Sequence, residues 1–345
     1  MKPDNRERAN LKDVAIAAHT SVATVSRVLN NSGYYSDEIR SRVQKAAEIL
    51  NYQPNLHAKS LRKRRSHTVG LLIPNLLNAY YTALADDVSQ LLNAHGYQLL
   101  LSSTRDNPVV EKNAFLQLIG HNVDGLIWAP SAADKNLLDT LSNRRIPAVA
   151  IVRKVEDNRL PTIVFEDYAG AHAATSHLLQ LNHTRIGLIG GDVKYSSNHD
   201  RMQGYVKALE AASIQVDWEL VKMGEMNAET GSASAEALLQ LPQPPTAIFV
   251  ASNALMPGVM KTIRRHELNI PEEISLICFD DLEWFLFSKP PISAIASNHT
   301  NFAKAAVDLL LNYIQNPGEM DKPPLLIKVS FELLLRGSTT PPRRV

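Results

Sequence analysis

Hydrophobic positions change rhythm once along this chain, near residue 67. Before that point apolar residues recur at helical spacing. Leu11, Val14 and Ala15 form one group, Val25, Val28 and Leu29 a second, and Ile39, Val43, Ala46, Ala47 and Leu50 a third. Steps of three and four place each group on one face of a short helix. His19-Thr20-Ser21 separates the first two groups, and Ser21 is positioned to cap the second helix. Ser36, followed by Asp37 and Glu38, opens a third helix over residues 38–50. Ala15 is small enough to let the first two helices cross closely. Two short helices joined by a tight turn and closed by a third make a helix-turn-helix, whose second helix enters the DNA major groove.

After His67 the pattern becomes one of short apolar runs alternating with amphipathic segments. Runs at 69–73, 97–101 and 125–128 read as strands, and 82–92 and 112–119 as helices. A polar stretch at 153–161 interrupts the alternation, which resumes at Thr162 with strands at 185–189, 247–251 and 274–279. Continuous apolar strands between helices predict buried parallel sheets. The count fits two doubly wound α/β halves, with ligands held between them at the C-terminal strand ends.

Charge sharpens this division. Lys and Arg total 36 against 35 Asp and Glu, a near-neutral sum that argues against an indiscriminate polyanion binder. Residues 1–66, however, carry 13 Lys/Arg and 6 Asp/Glu, whereas 67–345 carry 23 and 29. A basic module is therefore joined to an acidic body with a different task. The single cysteine, Cys278, excludes an internal disulfide framework. The charged start Met1-Lys2-Pro3-Asp4-Asn5-Arg6-Glu7-Arg8 has no apolar segment behind it, and no apolar run approaches the roughly 18–20 residues of a membrane helix. The expectation is a soluble cytoplasmic protein with no membrane association.

Nothing in the sequence asks for catalysis, a metal or a cofactor. Walker, Gly-x-Gly-x-x-Gly and His-Glu-x-x-His patterns are absent, and Gly190-Gly191 alone is weak evidence for phosphate binding. His172, His177 and His183 are spaced five and six apart, which does not align three ligands on one helix face. Cys278 lies within an apolar strand and reads as core.

The head resembles the LacI/GalR family of bacterial repressors. The resemblance rests on Asp13-Val14-Ala15, on Ser21-Val22-Ala23-Thr24-Val25-Ser26-Arg27-Val28-Leu29-Asn30 and on Asn51-Tyr52-Gln53-Pro54-Asn55, and it extends more loosely to the end of the chain. It implies a small all-α helix-turn-helix domain followed by two doubly wound parallel-sheet subdomains of periplasmic-binding-protein type. Val22, Ala23 and Arg27 fall where the family reads base edges, arginine being suited to guanine. Ser21, Thr24, Ser26 and Asn30 match phosphate-contacting positions, which set register. Asn55, Ala58, Lys59 and Leu61 match the family's hinge helix, Leu61 as the wedge that kinks the duplex from the minor groove. His19-Thr20 departs from the Gly-Val usual in the family's turn. Glycine there takes a left-handed conformation that histidine adopts only with strain, so a slightly reshaped turn is expected.

In the body the resemblance implies an effector cleft. Arg201, in Arg201-Met202-Gln203-Gly204-Tyr205, is expected to project into it, and Asp280, at the end of strand 274–279, to accept from ligand hydroxyls. Tyr80 and Tyr81 follow the first strand and its loop, where they either stack on a ligand or simply pack a helix. Met226 and Ser252-Asn253 stand where family members commonly carry an aromatic and Asn-Asp, and Pro257 interrupts the usual helix pattern there. Glu166-Asp167, leading to Gly170, is the acidic pair at the first crossover.

The domain boundaries that follow are a head at 10–54, a hinge and linker at 55–66, and an effector-binding and dimerisation body at 67–345. Within the body the N-terminal lobe takes 67–163 and 296–325, and the C-terminal lobe 164–295 and 326–340. The function implied is that of a regulator, most simply a repressor. It would act as a homodimer on pseudo-palindromic double-stranded operator DNA, controlled by a sugar or sugar derivative. Three other readings stay open: a regulator with a degenerate cleft, a corepressor-dependent sensor of a nucleobase-like metabolite, and a free-standing sugar-binding protein, which the basic head opposes.

Overall fold

The computed structural model describes residues 9–52, 65–131, 134–155 and 159–343. The chain divides into two compact units between Ser66 and His67.

The head is built from α1 (Leu11–Ala17), α2 (Val22–Leu29) and α3 (Asp37–Ile49). Each starts on a side-chain cap. Asn10 and Asp13 make a reciprocal capping box, the Ser21 hydroxyl accepts from the Thr24 N–H, and that of Ser36 from the Ile39 N–H. Each also ends the same way, on a left-handed residue: His19 (φ 48°), Asn31 (φ 51°) and Asn51 (φ 46°). After α1 the Thr20 N–H returns to the Ala15 carbonyl and the His19 N–H to that of Ile16, the paired bonds of a Schellman motif. The turn is thus not reshaped: His19 takes the conformation a glycine would take. Val14, Ala15, Ala18, Val25, Val28, Val43 and Ala46 form the buried core.

A left-handed non-glycine residue carries a cost of roughly 1–2 kcal/mol, partly offset by the smaller backbone entropy of its unfolded state. His19→Gly is therefore expected to stabilise the head by about 0.5–1 kcal/mol. Thermal unfolding of the full chain checks this, and a lower head midpoint in the variant would count against the strained turn.

The body, residues 67–343 as described, folds as two lobes. The first contains β1 (Thr68–Ile73), α4 (Ala79–Ala94), β2 (Gln98–Ser103), α5 (Pro108–Gly120), β3 (Gly125–Trp128), α6 (Lys135–Arg144), β4 (Ala148–Ile151) and β5 (Thr162–Phe165). The second contains α7 (Asp167–Gln180), β6 (Ile186–Gly191), α8 (Ser196–Ala211), β7 (Val221–Gly224), α9 (Ala228–Leu239), β8 (Ala247–Val250), α10 (Met256–Arg265), β9 (Ser275–Phe279) and β10 (Ser293–Ser297). The chain then returns to the first lobe with α11 (His299–Gln315) and β11 (Leu326–Val329), and closes in the second with β12 (Phe331–Leu334).

Among the described residues each lobe holds one six-stranded sheet, ordered β11-β5-β4-β3-β1-β2 and β12-β10-β9-β8-β6-β7. The two orders are equivalent, and each reverses direction beside its first strand, β1 or β6. That reversal opens a crevice at the C-terminal strand ends. β3, β4, β5, β8 and β9 are buried at every position, as their unbroken apolar runs require. The edge strand β2 is instead only partly covered.

Three sequence expectations change. The C-terminal lobe does not take up the chain at residue 326. β11 pairs in parallel with β5 of the first lobe, and the crossing falls at Ser330, immediately before β12 pairs antiparallel with β10. The first crossing likewise lies after Phe165 rather than after 163, because β5 runs on to that residue. Pro257, expected to interrupt a helix, instead occupies the first turn of α10, where its missing N–H leaves no bond unmade.

α9 and α10 pack unusually close. A Cβ added at Gly258 would lie 1.8 Å from the Ala228 carbonyl oxygen, and one at Gly231 would lie 2.1 Å from that of Leu255. Each helix turns a glycine to the other's backbone.

Candidate functional site

On the head, α2 separates its residues cleanly. Val25 and Val28 are buried, while Ser21, Val22, Ala23, Arg27 and Asn30 are exposed and Thr24 and Ser26 lie at the margin. The exposed stripe and its margin together carry the recognition-helix residues singled out from the sequence. Local bonds already order it: Ser21 Oγ lies 2.9 Å from Thr24 Oγ1, and Asn30 Nδ2 donates to the Ser26 carbonyl at 2.8 Å. The helix start, with its outward N–H groups and positive dipole end, suits a phosphate. Asn55, Ala58, Lys59 and Leu61 lie outside the described residues.

In the body the two lobes face each other across a cleft walled by loops at the C-terminal ends of their strands. An outer chamber of about 750 Å³ is lined by residues after β1, β2 and β4 of the first lobe and after β6 and β7 of the second. A small inner chamber of about 20 Å³, room for one water, is lined by Tyr80, Tyr81, Arg153, Arg201, Met226 and Asp280 among others.

Arg201, one and a half turns into α8, anchors the inner wall. It is 5% exposed. Its Nε donates to Asp167 Oδ1 at 2.7 Å, its NH1 donates to the Ala251 carbonyl at 2.6 Å, and Asp280 Oδ2 lies 3.9 Å away. The guanidinium stacks 3.6 Å from the centre of the Phe279 ring. Burial pushes the Asp167 carboxyl up to about 6 even though Arg201 pulls it down. Asp280 sits in a left-handed conformation (φ 67°) just past β9, and its Oδ1 accepts from Ser297 Oγ at 2.7 Å. Ser297 ends β10, so Asp280 is tied to the strand that leads into the second crossing.

Arg153 faces this network from the first lobe and was not singled out from the sequence. It is 4% exposed, donates to both oxygens of Asp106 at 2.5 and 3.1 Å and to the Pro130 carbonyl at 3.1 Å, and stacks 3.7 Å from the Tyr195 ring centre. Its Nε has no hydrogen-bond partner among the described residues. The backbone is forced to place it: Val152 has φ 66°, and the Arg153 N–H donates to the Ile151 carbonyl at 2.7 Å, closing a three-residue γ-turn. A β-branched residue in that region costs of order 1–3 kcal/mol, which is the kind of strain that gathers at ligand sites.

Tyr80 and Tyr81 lie in the first turn of α4. They pack, with the rings of Tyr80 and Phe165 5.6 Å apart edge to face, and they also line the inner chamber. Tyr80 is 9% exposed, and its hydroxyl has no hydrogen-bond partner among the described residues. Met226 reaches both chambers. Ser252 does not belong with them. It is fully buried, its hydroxyl accepts from the Ala254 N–H, and the carbonyl of the preceding Ala251 is taken by Arg201.

The lobes also touch directly. The Lys154 N–H donates to Ser196 Oγ at 2.8 Å, and its ammonium pairs with Asp200 at 2.5 Å. His177 and His183, away from the cleft, hold the chain's last segment, His177 against the Thr339 hydroxyl and His183 between the Thr246 hydroxyl and the Thr340 carbonyl.

Comparison with known proteins places this architecture. Residues 10–55 match the model for bacterial regulatory proteins of the lacI family, and 175–339 that for a periplasmic binding protein-like domain. The chain is 31% identical over 343 residues to the HTH-type transcriptional repressor CytR of Escherichia coli (strain K12), covering 98% of this chain and 99% of the relative. It is 31% identical over 315 residues to the ribose operon repressor of Haemophilus influenzae, covering 90% and 93%. Among solved structures, the lac repressor dimer bound to operator and the anti-inducer ONPF matches with a TM-score of 0.84 at 26% identity, over 97% of this chain and 100% of that one.

Proposed function

Because the chain belongs to the LacI/GalR family of bacterial transcriptional regulators, we propose that the chambers between its lobes are the effector site that sets the affinity of its helix-turn-helix for operator DNA. The protein is a sequence-specific DNA-binding repressor under small-molecule control, it acts as a dimer, and it is not an enzyme. Among the described residues no helix is long and apolar enough to cross a membrane. The domain plan in this reading is a head at 10–54, a hinge at 55–66 and a sensing body from residue 67 whose lobes exchange chain after 165, 297 and 330.

On the head, Arg27 reads a guanine edge, a contact worth about 1–3 kcal/mol of discrimination, and Val22 and Ala23 offer apolar contact such as a thymine methyl accepts. Ser21, Thr24, Ser26 and Asn30 hold phosphates and fix register. Asn55, Ala58, Lys59 and Leu61 complete the interface from the hinge. In the body, Tyr80, Tyr81, Arg153, Arg201, Met226 and Asp280 hold a small hydroxyl-bearing effector, a sugar or sugar derivative. Binding changes the angle between the lobes. Asp280, bonded to Ser297 at a crossing strand, carries that change toward the first lobe. Effectors of either sign fit, provided their affinity differs between the two lobe angles.

One observation carries the effector reading: Tyr80 Oη and Arg153 Nε are buried polar groups, both on the chamber wall, with no hydrogen-bond partner among the described residues. Buried polar groups are ordinarily satisfied, and a ligand supplies what the fold withholds. A second reading, an effector-independent regulator, draws on the Lys154–Asp200 and Lys154–Ser196 contacts, by which the chain fixes its own lobe angle.

A thermal-shift screen of the full chain against sugars and nucleosides separates the two. A ligand at a hundredfold its Kd adds about 2.7 kcal/mol of stability. Tyr80→Phe gives the sharper result, with two opposite signs. Removing an unpaired buried hydroxyl is expected to stabilise the ligand-free protein by about 1 kcal/mol while shrinking the ligand's shift. A Tyr80→Phe protein that is less stable yet keeps the full shift would sink the assignment.

A further inference from the structure

The outer chamber carries charges of both signs, and most of its cations are already matched. Lys194 Nζ lies 2.8 Å from Asp192, and Arg201 behind the inner wall is committed to Asp167. Arg105 stands exposed on the rim, where water screens it. Arg153 is the buried cation at the centre, and Asp106 occupies both of its terminal nitrogens. That end-on fork is one of the two edges by which a guanidinium grips a carboxylate or phosphate through parallel bonds. Nη1 also donates to the Pro130 carbonyl, so what remains for a ligand is the Nε–H, the second hydrogen of Nη2 and the neighbouring Tyr80 hydroxyl, on a cation whose charge Asp106 already balances.

Resting on the effector reading above, we propose that Asp106 is the specificity-determining residue that restricts the cleft to uncharged, hydroxyl-bearing ligands and excludes their phosphorylated or carboxylated counterparts. An anion approaching Arg153 meets a carboxylate already seated there. Asp280 and Glu225 add the same sign from the second lobe. Inside the chamber such repulsion is stronger than in bulk water, because the surroundings polarise less. A neutral polyol meets no such barrier. It finds unpaired donors and an aromatic wall formed by Tyr80, Tyr81, Phe165 and Tyr195.

The loop holds Asp106 in place rather than leaving it to chance. Arg105 and Asp106 are both left-handed (φ 54° and 53°), and the Arg105 N–H is fastened to the Pro74 carbonyl at 2.7 Å. Opposite it, the γ-turn at Val152 aims the arginine. Two strained turns on different strands thus deliver the two halves of one ion pair to the chamber wall.

The test compares the full-length wild type with Asp106→Asn, which keeps the side chain's shape and tolerates the same positive φ. The probes are inorganic phosphate, D-ribose and ribose 5-phosphate, followed by calorimetric titration and thermal shift. Wild type is expected to ignore phosphate and ribose 5-phosphate at millimolar concentration. Asp106→Asn is expected to bind phosphate at least about tenfold more tightly than wild type, because the freed fork is buried and positively charged. A wild type that binds phosphate or ribose 5-phosphate more tightly than ribose overturns the proposal and leaves the effector site standing. Asp106→Asn without any gain for phosphate overturns it as well. A gain for phosphate in the variant, beside a wild type indifferent to every uncharged sugar and nucleoside, upholds the charge filter and removes the effector reading instead.

Discussion

Arg201→Ala is expected to lower the unfolding free energy by about 3–5 kcal/mol, the cost typical of breaking a buried ion pair from one side. The arginine is the counter-charge of Asp167, which is 3% exposed, and it lies beside Asp280, also buried. Alanine removes the cation and leaves both carboxyl groups in a medium that solvates them poorly, along with an unpaired Ala251 carbonyl. Urea unfolding of the full chain measures the loss. The companion variant Arg201→Met with Asp167→Leu is expected to recover a good part of it, since apolar groups of similar volume carry no desolvation penalty. A single-variant loss below about 1 kcal/mol would fit a surface pair and contradict the buried network. The size of the effect also governs how effector binding should be probed. A ligand response lost in Arg201→Ala reports on folding as much as on contact, whereas Tyr80→Phe leaves the fold intact.

The second large effect lies away from the cleft. Gly258→Ala is expected to cost about 3 kcal/mol, at the upper end of overpacking. The added methyl would sit 1.8 Å from the Ala228 oxygen and 2.6 Å from the Ser232 nitrogen, both main-chain atoms that no rotamer change can withdraw. α9 and α10 must then separate. Gly231→Ala, which meets the Leu255 carbonyl at 2.1 Å, is expected to behave alike. Gly318→Ala is the control: a Cβ there meets nothing within 4 Å, so its stability should change by less than about 0.5 kcal/mol. Equal midpoints for Gly258→Ala and Gly318→Ala would show that the helices are not in backbone contact.

The parts of this fold that could be read from the sequence were those set by local or two-sided burial. The helices of the head announce themselves through Ser21 and Ser36 caps and a three-four apolar rhythm. Strands such as β3 and β8 do so through short, wholly apolar runs. The edges were harder to read. Residues 326–334 alternate like one continuous strand, and nothing in Val329-Ser330-Phe331 marks Ser330 as the point where the chain changes sheet.

The site divides in the same way. Met226 and Asp280 reach the chambers from just past the ends of β7 and β9, and Tyr80, Tyr81 and Arg201 from the first two turns of the helices that follow β1 and β6. Ser252 shares that kind of position and still misses the wall, because it is fully buried and its hydroxyl is turned to the Ala254 N–H. Arg153 was overlooked for the opposite reason. It opens a polar stretch that reads as a connecting loop, and its direction depends on a positive φ at Val152, a residue type that gives no hint of one. The signal available was a cation placed directly after an apolar strand. Asp106 becomes meaningful only once Arg153 is located.

The crossing at Ser330 bears on how the chain may be cut. β11 and β12 are edge strands of different sheets, separated by one residue. A chain stopped at residue 325 would bare a new sheet edge on each lobe at once, exposing the flanks of β5 and β10 as templates for pairing with other chains. Neither lobe can be excised as one continuous segment, since each borrows its last strand from beyond the other. The segment that looks most dispensable is thus the one on which both sheets depend to stay closed against aggregation.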